Sequence, residues 1–309
     1  MEERKAKKRK ILKRVVLILA GAFVLYALAT TFVPVAVLSG IVNRHYDHPD
    51  SGEENEGFFV TTSDGEKLWM KICPAEKPRG AVIFLAGMRG PAVTEYQQHA
   101  DWVNELGYTA ALLELRGHGL SSGERIGLGF EEPADIRAAL QELRKDPALA
   151  DVPVFLLGVS MGGATVLNAM GEIPEIAGVI ALSPFVSFEE VFEMRMKNYL
   201  VPPLSRKYVK FLIGEFLDRT YGEENTERVN PRAEIVKAGG RPVFLIASEQ
   251  DPKVPSESSR ILKDLYPEAD LWIRTGNAHL VVLGNDLKNV REDTEYRAKI
   301  EEWLEKNTP

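Results

Sequence analysis

The sequence predicts an α/β domain, built on a mostly parallel sheet with helices on both faces and a small helical cap, and preceded by one transmembrane helix. Three observations carry that expectation. Two runs rich in β-forming residues flank Asp64-Gly65 in FFVTTSDGEKLWMKI (58–72), the pattern of an antiparallel hairpin. From residue 81 onward, short apolar runs alternate with stretches of helical spacing, the order of repeated β-α units. Residues 15–42 contain no Asp, Glu, Lys or Arg, and a spanning helix needs roughly 20 predominantly apolar residues.

Taken in order, the chain begins with a basic head (1–14) that carries Arg4, Lys5, Lys7, Lys8, Arg9, Lys10, Lys13 and Arg14 against Glu2 and Glu3. The formal charge of the 309-residue chain is −7, so the remainder stands at about −13. An acidic domain repels phosphate backbones, which argues against nucleic acid as a partner. A basic cluster beside an apolar run reads instead as the cytoplasmic flank of a membrane span. A cleaved signal peptide has a shorter apolar core of about 7–15 residues. Ala27-Leu28-Ala29 loosely resembles a cleavage site, but the longer run favours an uncleaved signal anchor over 15–42. Pro34 is expected to kink or end the helix, because proline lacks an N–H and clashes with the preceding turn. The expectation is therefore a single-pass cell-membrane protein, its N-terminus cytoplasmic and its domain outside. Residues 43–56 are polar and acidic and read as a linker, with the folded domain over 57–309.

Beyond the hairpin, AVIFL (81–85) is a strand buried on both faces. A helix over 94–106 ends at Gly107, a C-cap. Strands follow at 109–115, 154–157, 179–182, 243–247 and 271–274. Helices are expected over 131–145, which has Pro133 and acidic residues in its first turn, over 161–170 and over 293–306. The single cysteine, Cys73, has no disulfide partner within the chain and reads as a packing residue.

Active sites of such sheets lie at the carboxyl ends of the strands. After the strand VPVFLL comes Gly158-Val159-Ser160-Met161-Gly162-Gly163, a G-x-S-x-G between strand and helix. A nucleophile on this sharp turn leaves no room for side chains two residues either side, hence the two glycines. Ser160 is the candidate nucleophile, and the helix that begins there favours a developing oxyanion. A glycine-rich turn that only packs a helix onto a sheet would look the same.

At these residues the chain resembles the α/β-hydrolase superfamily, over roughly 58–306. The resemblance implies a chain order of nucleophile, acid, histidine. The strand PVFLIA is followed by Glu249-Gln250-Asp251-Pro252-Lys253-Val254-Pro255, similar to the family's D-x-x-V-P acid loop, so Asp251 matches the acid. Glu249 is the rival and lies closer to the strand end. The strand LWIR is followed by Thr275-Gly276-Asn277-Ala278-His279, so His279 matches the base. The family's oxyanion hole uses two backbone N–H groups, here matched by Met161 and by Met88 in Ala86-Gly87-Met88, with Gly87 the alternative. Ala86 stands where the family often has histidine. Glu114-Leu115-Arg116-Gly117-His118-Gly119 resembles the family's D-x-R-G-H-G, a mainly structural segment, with Glu114 in place of Asp.

Residues 187–237 exceed an ordinary connection of two to six residues and imply the cap. Phe188, Phe192, Met196 and Tyr199 fall at helical spacing, Pro202-Pro203 interrupts, and 208–216 is a second amphipathic stretch. These aromatics either fill the cap's own core or meet an apolar substrate group. The expected activity is hydrolysis of a carboxylic ester, including lipid-like acyl esters, through an acyl-enzyme on Ser160. A serine peptidase, a thioesterase or an acyltransferase would use the same triad. Peptidases with such a triad usually carry a large propeller domain, which this chain is not expected to hold. A non-catalytic membrane-anchored binding protein is the reading from another class. No metal site and no cofactor are expected: the sequence contains no H-E-x-x-H, no cysteine pair and no G-x-x-x-x-G-K-[ST].

Overall fold

The computed structural model describes residues 2–48, 56–197 and 202–309. Helix α1 (Glu2–Val42) leads into the hairpin strands β1 (Phe58–Thr61) and β2 (Lys67–Cys73), which pair antiparallel as Asp64-Gly65 suggested. The chain continues through β3 (Gly80–Leu85), α2 (Gln97–Glu105), β4 (Tyr108–Leu113), α3 (Pro133–Leu143), β5 (Val154–Val159), α4 (Met161–Glu172) and β6 (Ile176–Leu182). Four cap helices follow: α5 (Phe188–Lys197), α6 (Pro203–Tyr221), α7 (Glu223–Arg228) and α8 (Pro231–Ile235). The domain closes with β7 (Val243–Ser248), α9 (Glu257–Leu265), β8 (Asp270–Arg274) and α10 (Thr294–Asn307).

The eight strands form one sheet in the order β1-β2-β4-β3-β5-β6-β7-β8. β2 meets β4 antiparallel, and every pairing from β4 to β8 is parallel. All six residues of β3 are buried, because alternate side chains enter opposite cores. Ala81, Ile83 and Leu85 join one core, with Ile136 of α3, Leu167 of α4 and Leu262 of α9. Val82 and Phe84 join the other, with Trp102 of α2 and Trp303 of α10. The helix expected over 94–106 is a 3-10 turn, Val93–Tyr96, followed by α2, and Gly107 beyond it has φ +84° as a C-cap glycine should. Cys73 is half-buried and receives a long contact from the Gln97 amide, 3.7 Å from its sulfur.

Two features of the N-terminal region differ from the sequence expectation. First, α1 does not stop at Pro34 but runs on to Val42. It is long and apolar enough to cross a membrane, with a mean hydropathy of 2.3 over its most apolar window. Its last turns do not stand clear of the domain, since Leu38 and Val42 are fully buried in the core. Second, residues 43–48 are tied down rather than free. The Tyr46 N–H donates to Gly117 O at 2.8 Å, and its carbonyl accepts from Gly119 N–H at 2.9 Å. The Ile126 N–H donates to Val42 O at 3.1 Å. A polar composition signals exposure, but these backbone groups found partners in the turn that follows β4. The rest of the expected linker, 49–55, and Tyr199 of the cap lie outside the described residues.

The cap also leans on α1. The Tyr26 hydroxyl donates to Ser205 Oγ at 2.7 Å, and Thr31 Oγ1 lies 3.2 Å from the Tyr208 hydroxyl. Helix α6 thus packs along the apolar helix, and its Leu204 and Phe211 are exposed.

Candidate active site

Ser160 stands between β5 and α4 with φ +58° and ψ −115°, a conformation that costs a non-glycine residue on the order of 1–3 kcal/mol. The surrounding contacts enforce it. The Ser160 N–H donates to Leu182 O at 2.8 Å, and its carbonyl accepts the Ala164 N–H at 3.0 Å, opening the helix. A Cβ at Gly158 would lie 2.3 Å from Gly162 O, and one at Gly162 would lie 2.5 Å from Ala86 O. Both glycines are therefore required by close backbone approach.

Asp251 and His279 come from the loops after β7 and β8. His279 Nδ1 lies 2.7 Å from Asp251 Oδ2, and both residues are buried. The other carboxylate oxygen, Oδ1, accepts the N–H groups of Lys253 at 2.7 Å and Val254 at 3.1 Å. Burial pushes the Asp251 carboxyl up, but the hydrogen bond and charge of His279, with the two backbone donors, outweigh it. The net result is a pKa held below the ordinary value, so the group is a carboxylate at neutral pH. The rival Glu249 is exposed.

The histidine loop is held by residues that no motif announced. Ser183 Oγ donates to His279 O at 2.8 Å, and Ser248 Oγ donates to Ala278 O at 2.6 Å. Arg274 donates through Nη1 to Val281 O at 2.6 Å and through Nη2 to Asp293 at 3.0 Å. The two serine pairs join residues 96 and 30 apart that the folded sheet brings together.

Ser160 and His279 line one cavity of about 310 Å³, together with Gly87 and Met88 of the loop after β3. Gly87 approaches Ser160 closely: a Cβ built there would lie 3.4 Å from Ser160 Cβ. Met161, the first residue of α4, is fully buried beneath the cavity, and the first-turn N–H groups of a helix have no intrahelical acceptor. The R-G-H-G segment reaches the same loop, for His118 Nε2 lies 2.9 Å from Met88 O and Nδ1 lies 2.9 Å from Arg116 O. Arg116 in turn donates to Asp135 at 2.6 Å and to Asp64 at 2.7 Å, pinning the segment between α3 and the hairpin turn. Glu114 accepts the Leu120 N–H at 2.7 Å.

The apolar wall of the cavity comes from Phe185 of the loop after β6, from Phe188, Val191 and Phe192 of the cap, and from Ile41 of α1. Of the cap residues that sequence analysis singled out, leaving open whether they fill the cap's core or meet substrate, Phe188 and Phe192 line the cavity and Met196 does not; Ile41 was missed, because it looked like one more residue of a membrane span. Among the described residues no group of His, Cys, Asp or Glu is arranged to hold a metal ion.

A buried carboxylate, an imidazole bound to it and a serine in the same cavity are the components of acyl transfer. The model of the serine aminopeptidase S33 family matches residues 76–230. The chain belongs to this family. It is accordingly a member of the α/β-hydrolase superfamily.

Among curated relatives of this S33 chain, rat monoglyceride lipase is 31% identical over 159 residues, 47% of this chain and 51% of that protein. Human monoglyceride lipase is 32% identical over 160 residues, with the same coverage. The chain thus spans about half the length of these relatives. Among solved structures, an esterase of Pyrococcus furiosus, Pf2001, superposes with a TM-score of 0.62 at 20% identity, covering 87% of this chain and 98% of that one. The α/β hydrolase GrgF of a Penicillium species gives 0.61 at 19%, covering 81% and 98%. At these identities the superpositions establish a shared fold.

Proposed function

We propose that this S33 protein hydrolyses carboxylic esters, including lipid-like acyl esters, through an acyl-enzyme on Ser160. The observation that carries the reading is the shared cavity of Ser160 and His279, with Asp251 bonded to the far side of the imidazole. His279 takes the proton of Ser160 as the hydroxyl attacks the ester carbonyl. Asp251 fixes the imidazole tautomer with Nδ1–H towards the carboxylate and stabilises the imidazolium. The oxyanion is received by the N–H of Met161 at the start of α4 and by that of Met88, with Gly87 as the neighbouring donor. The alcohol leaves with the proton from His279, and water then releases the acid by the same route. No metal or cofactor takes part in these steps.

The apolar wall and the relatives named monoglyceride lipase support an ester with an acyl chain. An aminopeptidase is the second reading, since the family carries that name. It needs carboxylates to hold a substrate ammonium group, and among the described residues neither Asp nor Glu lines this cavity. In the cell, α1 anchors the protein with residues 1–14 in the cytoplasm and the domain on the other side, as the basic head favours. Protease protection of an epitope at either end reads that orientation.

The deciding experiment treats the full chain in neutral detergent with a fluorophosphonate probe, beside Ser160→Ala. Labelling of the wild type that vanishes in the variant, with hydrolysis of medium-chain acyl esters, supports the reading. A folded wild type that neither labels nor turns over any ester would overturn it in favour of a binding protein. Cleavage of aminoacyl amides without esters would favour the peptidase.

A further inference from the structure

The cavity has two chemically different parts. One is the apolar wall that Ile41 shares with the cap aromatics. The other consists of Arg89, Arg195 and Lys253, which are the charged lining residues apart from His279 among the described residues. They arrive from three elements: the loop after β3, the cap helix α5 and the acid loop after β7. All three are exposed, so their charged heads remain at the water-facing side of the cavity.

Their concentration runs against the rest of the domain, which is strongly acidic once the basic head is set aside. The nearby acidic residues do not neutralise them. Glu190 is engaged by Lys210 and Arg232, and Glu193 by Lys210. Asp251 faces His279. Among the described residues, no ion pair engages Arg89, Arg195 or Lys253. Three cations without an ion-pair partner among the described residues attract and hold an anion at one mouth, whereas a neutral glycerol or an ammonium head gains nothing from them.

From this we infer that the preferred substrate is a single-chain anionic amphiphile: an acyl ester whose alcohol part carries a phosphate or carboxylate. The inference rests on the ester-hydrolase reading of the site. A cavity of about 310 Å³ lies at the small end of ligand pockets, which suits one chain rather than two. The acyl chain lies against Phe188, Phe192 and Ile41, and the anion sits among Arg195, Lys253 and Arg89. Because Ile41 belongs to the helix that anchors the protein, the chain-binding wall stands next to the bilayer from which such a molecule would be drawn.

The test compares three esters of one acyl chain, presented to the full-length protein in neutral detergent micelles. They are 1-acyl-glycerol, 1-acyl-glycerol 3-phosphate and an O-acyl hydroxy acid. The expected result is a kcat/KM for at least one anionic ester about tenfold or more above that for the neutral ester. The preferred arm identifies phosphate or carboxylate. This preference should shrink as salt rises from about 0.05 to 0.5 M, as screening shortens the reach of the cations. In Arg195→Gln and Lys253→Gln the anionic-to-neutral ratio should fall roughly five- to tenfold, chiefly through KM, while Arg195→Lys keeps most of it. Lys145→Gln, on a remote surface, should leave the ratio unmoved. Equal efficiency towards neutral and anionic esters, with a ratio unaffected by salt and by both Gln variants, would overturn the inference while the hydrolase reading stands. No turnover of any ester and no labelling by the serine probe would overturn both.

Discussion

Asp251 and His279, 28 residues apart, meet through a 2.7 Å contact between Oδ2 and Nδ1 at the carboxyl ends of adjacent strands. The second oxygen of the carboxylate is already occupied by the N–H groups of Lys253 and Val254. The carboxylate therefore has one free direction, and the imidazole fills it.

Asp251→Asn should keep this geometry and lose the chemistry. An amide can present its N–H to Nδ1 and so stabilise the wrong tautomer, lowering kcat about 10³- to 10⁴-fold. The sign of the stability effect follows from the lowered pKa of Asp251. Its contribution is present above the unfolded value of 3.8 and is lost as pH falls through the lower folded value. Thermal melts of the wild type should therefore show an acid-side loss, part of which the Asn variant lacks.

The turn at Ser160 makes a second prediction. Gly158→Ala would press a methyl to 2.3 Å from Gly162 O, and Gly162→Ala would reach 2.5 Å from Ala86 O. The contacted atoms are backbone, so no side-chain rotation relieves them. Each variant should lose about 1–3 kcal/mol of stability by chemical denaturation, together with most probe labelling. An unchanged denaturation midpoint with full labelling would show that the turn yields easily.

His99 should make the domain acid-sensitive. It is fully buried among the rings of Phe84, Tyr96, Trp102 and Tyr296. Neither ring nitrogen has a hydrogen-bond partner among the described residues. Burial lowers its pKa from 6.5 to about 3. Above pH 6.5 the imidazole is neutral in both states and costs nothing. Between 6.5 and about 3 only the unfolded chain binds the proton, so stability falls by about 1.4 kcal/mol per pH unit, or roughly 2 kcal/mol by pH 5. His99→Phe should flatten that part of the stability profile, read by melts at pH 7.5 and 5. Parallel losses in wild type and variant would assign the acid sensitivity elsewhere.

The end of α1 is expected to behave as core and its middle as lipid-facing surface. Leu38 is fully buried, so Leu38→Ala should cost about 2–5 kcal/mol. Leu17 is 71% exposed, and Leu17→Ala should leave the melting temperature of the domain in detergent within a degree or two. Equal effects would mean that α1 does not dock on the domain in solution.

What the sequence determined by itself was local. Asp64-Gly65 announced the hairpin because Gly65 takes the positive φ of +97° that the reversal between Thr61 and Lys67 requires. Gly158-Val159-Ser160-Met161-Gly162 announced the strand-to-helix turn because the collision that requires Gly158 arises within it, against Gly162 O, whereas Gly162 is required by Ala86 O across the sheet. Uniformly apolar runs such as AVIFL signalled strands covered on both faces, and the absence of charge over 15–42 signalled a helix apolar enough to span a membrane. Family resemblance then pointed to Asp251 and His279, which periodicity alone could not have chosen.

The tertiary structure decided what depends on packing between distant segments. Pro34 lies within one unbroken helix, because the apolar run resumes immediately after it and buries Leu38 and Val42 on the domain. Tyr46 is fixed by Gly117 and Gly119, so a segment of linker composition became part of the fold. Ile41 reaches the cavity only because α1 docks there, and Arg89, Arg195 and Lys253 meet there only because three loops and helices converge. A sequence encodes the apolar or polar character of each residue. The neighbour it finds across more than a hundred residues is set by how the sheet and the cap close around the core.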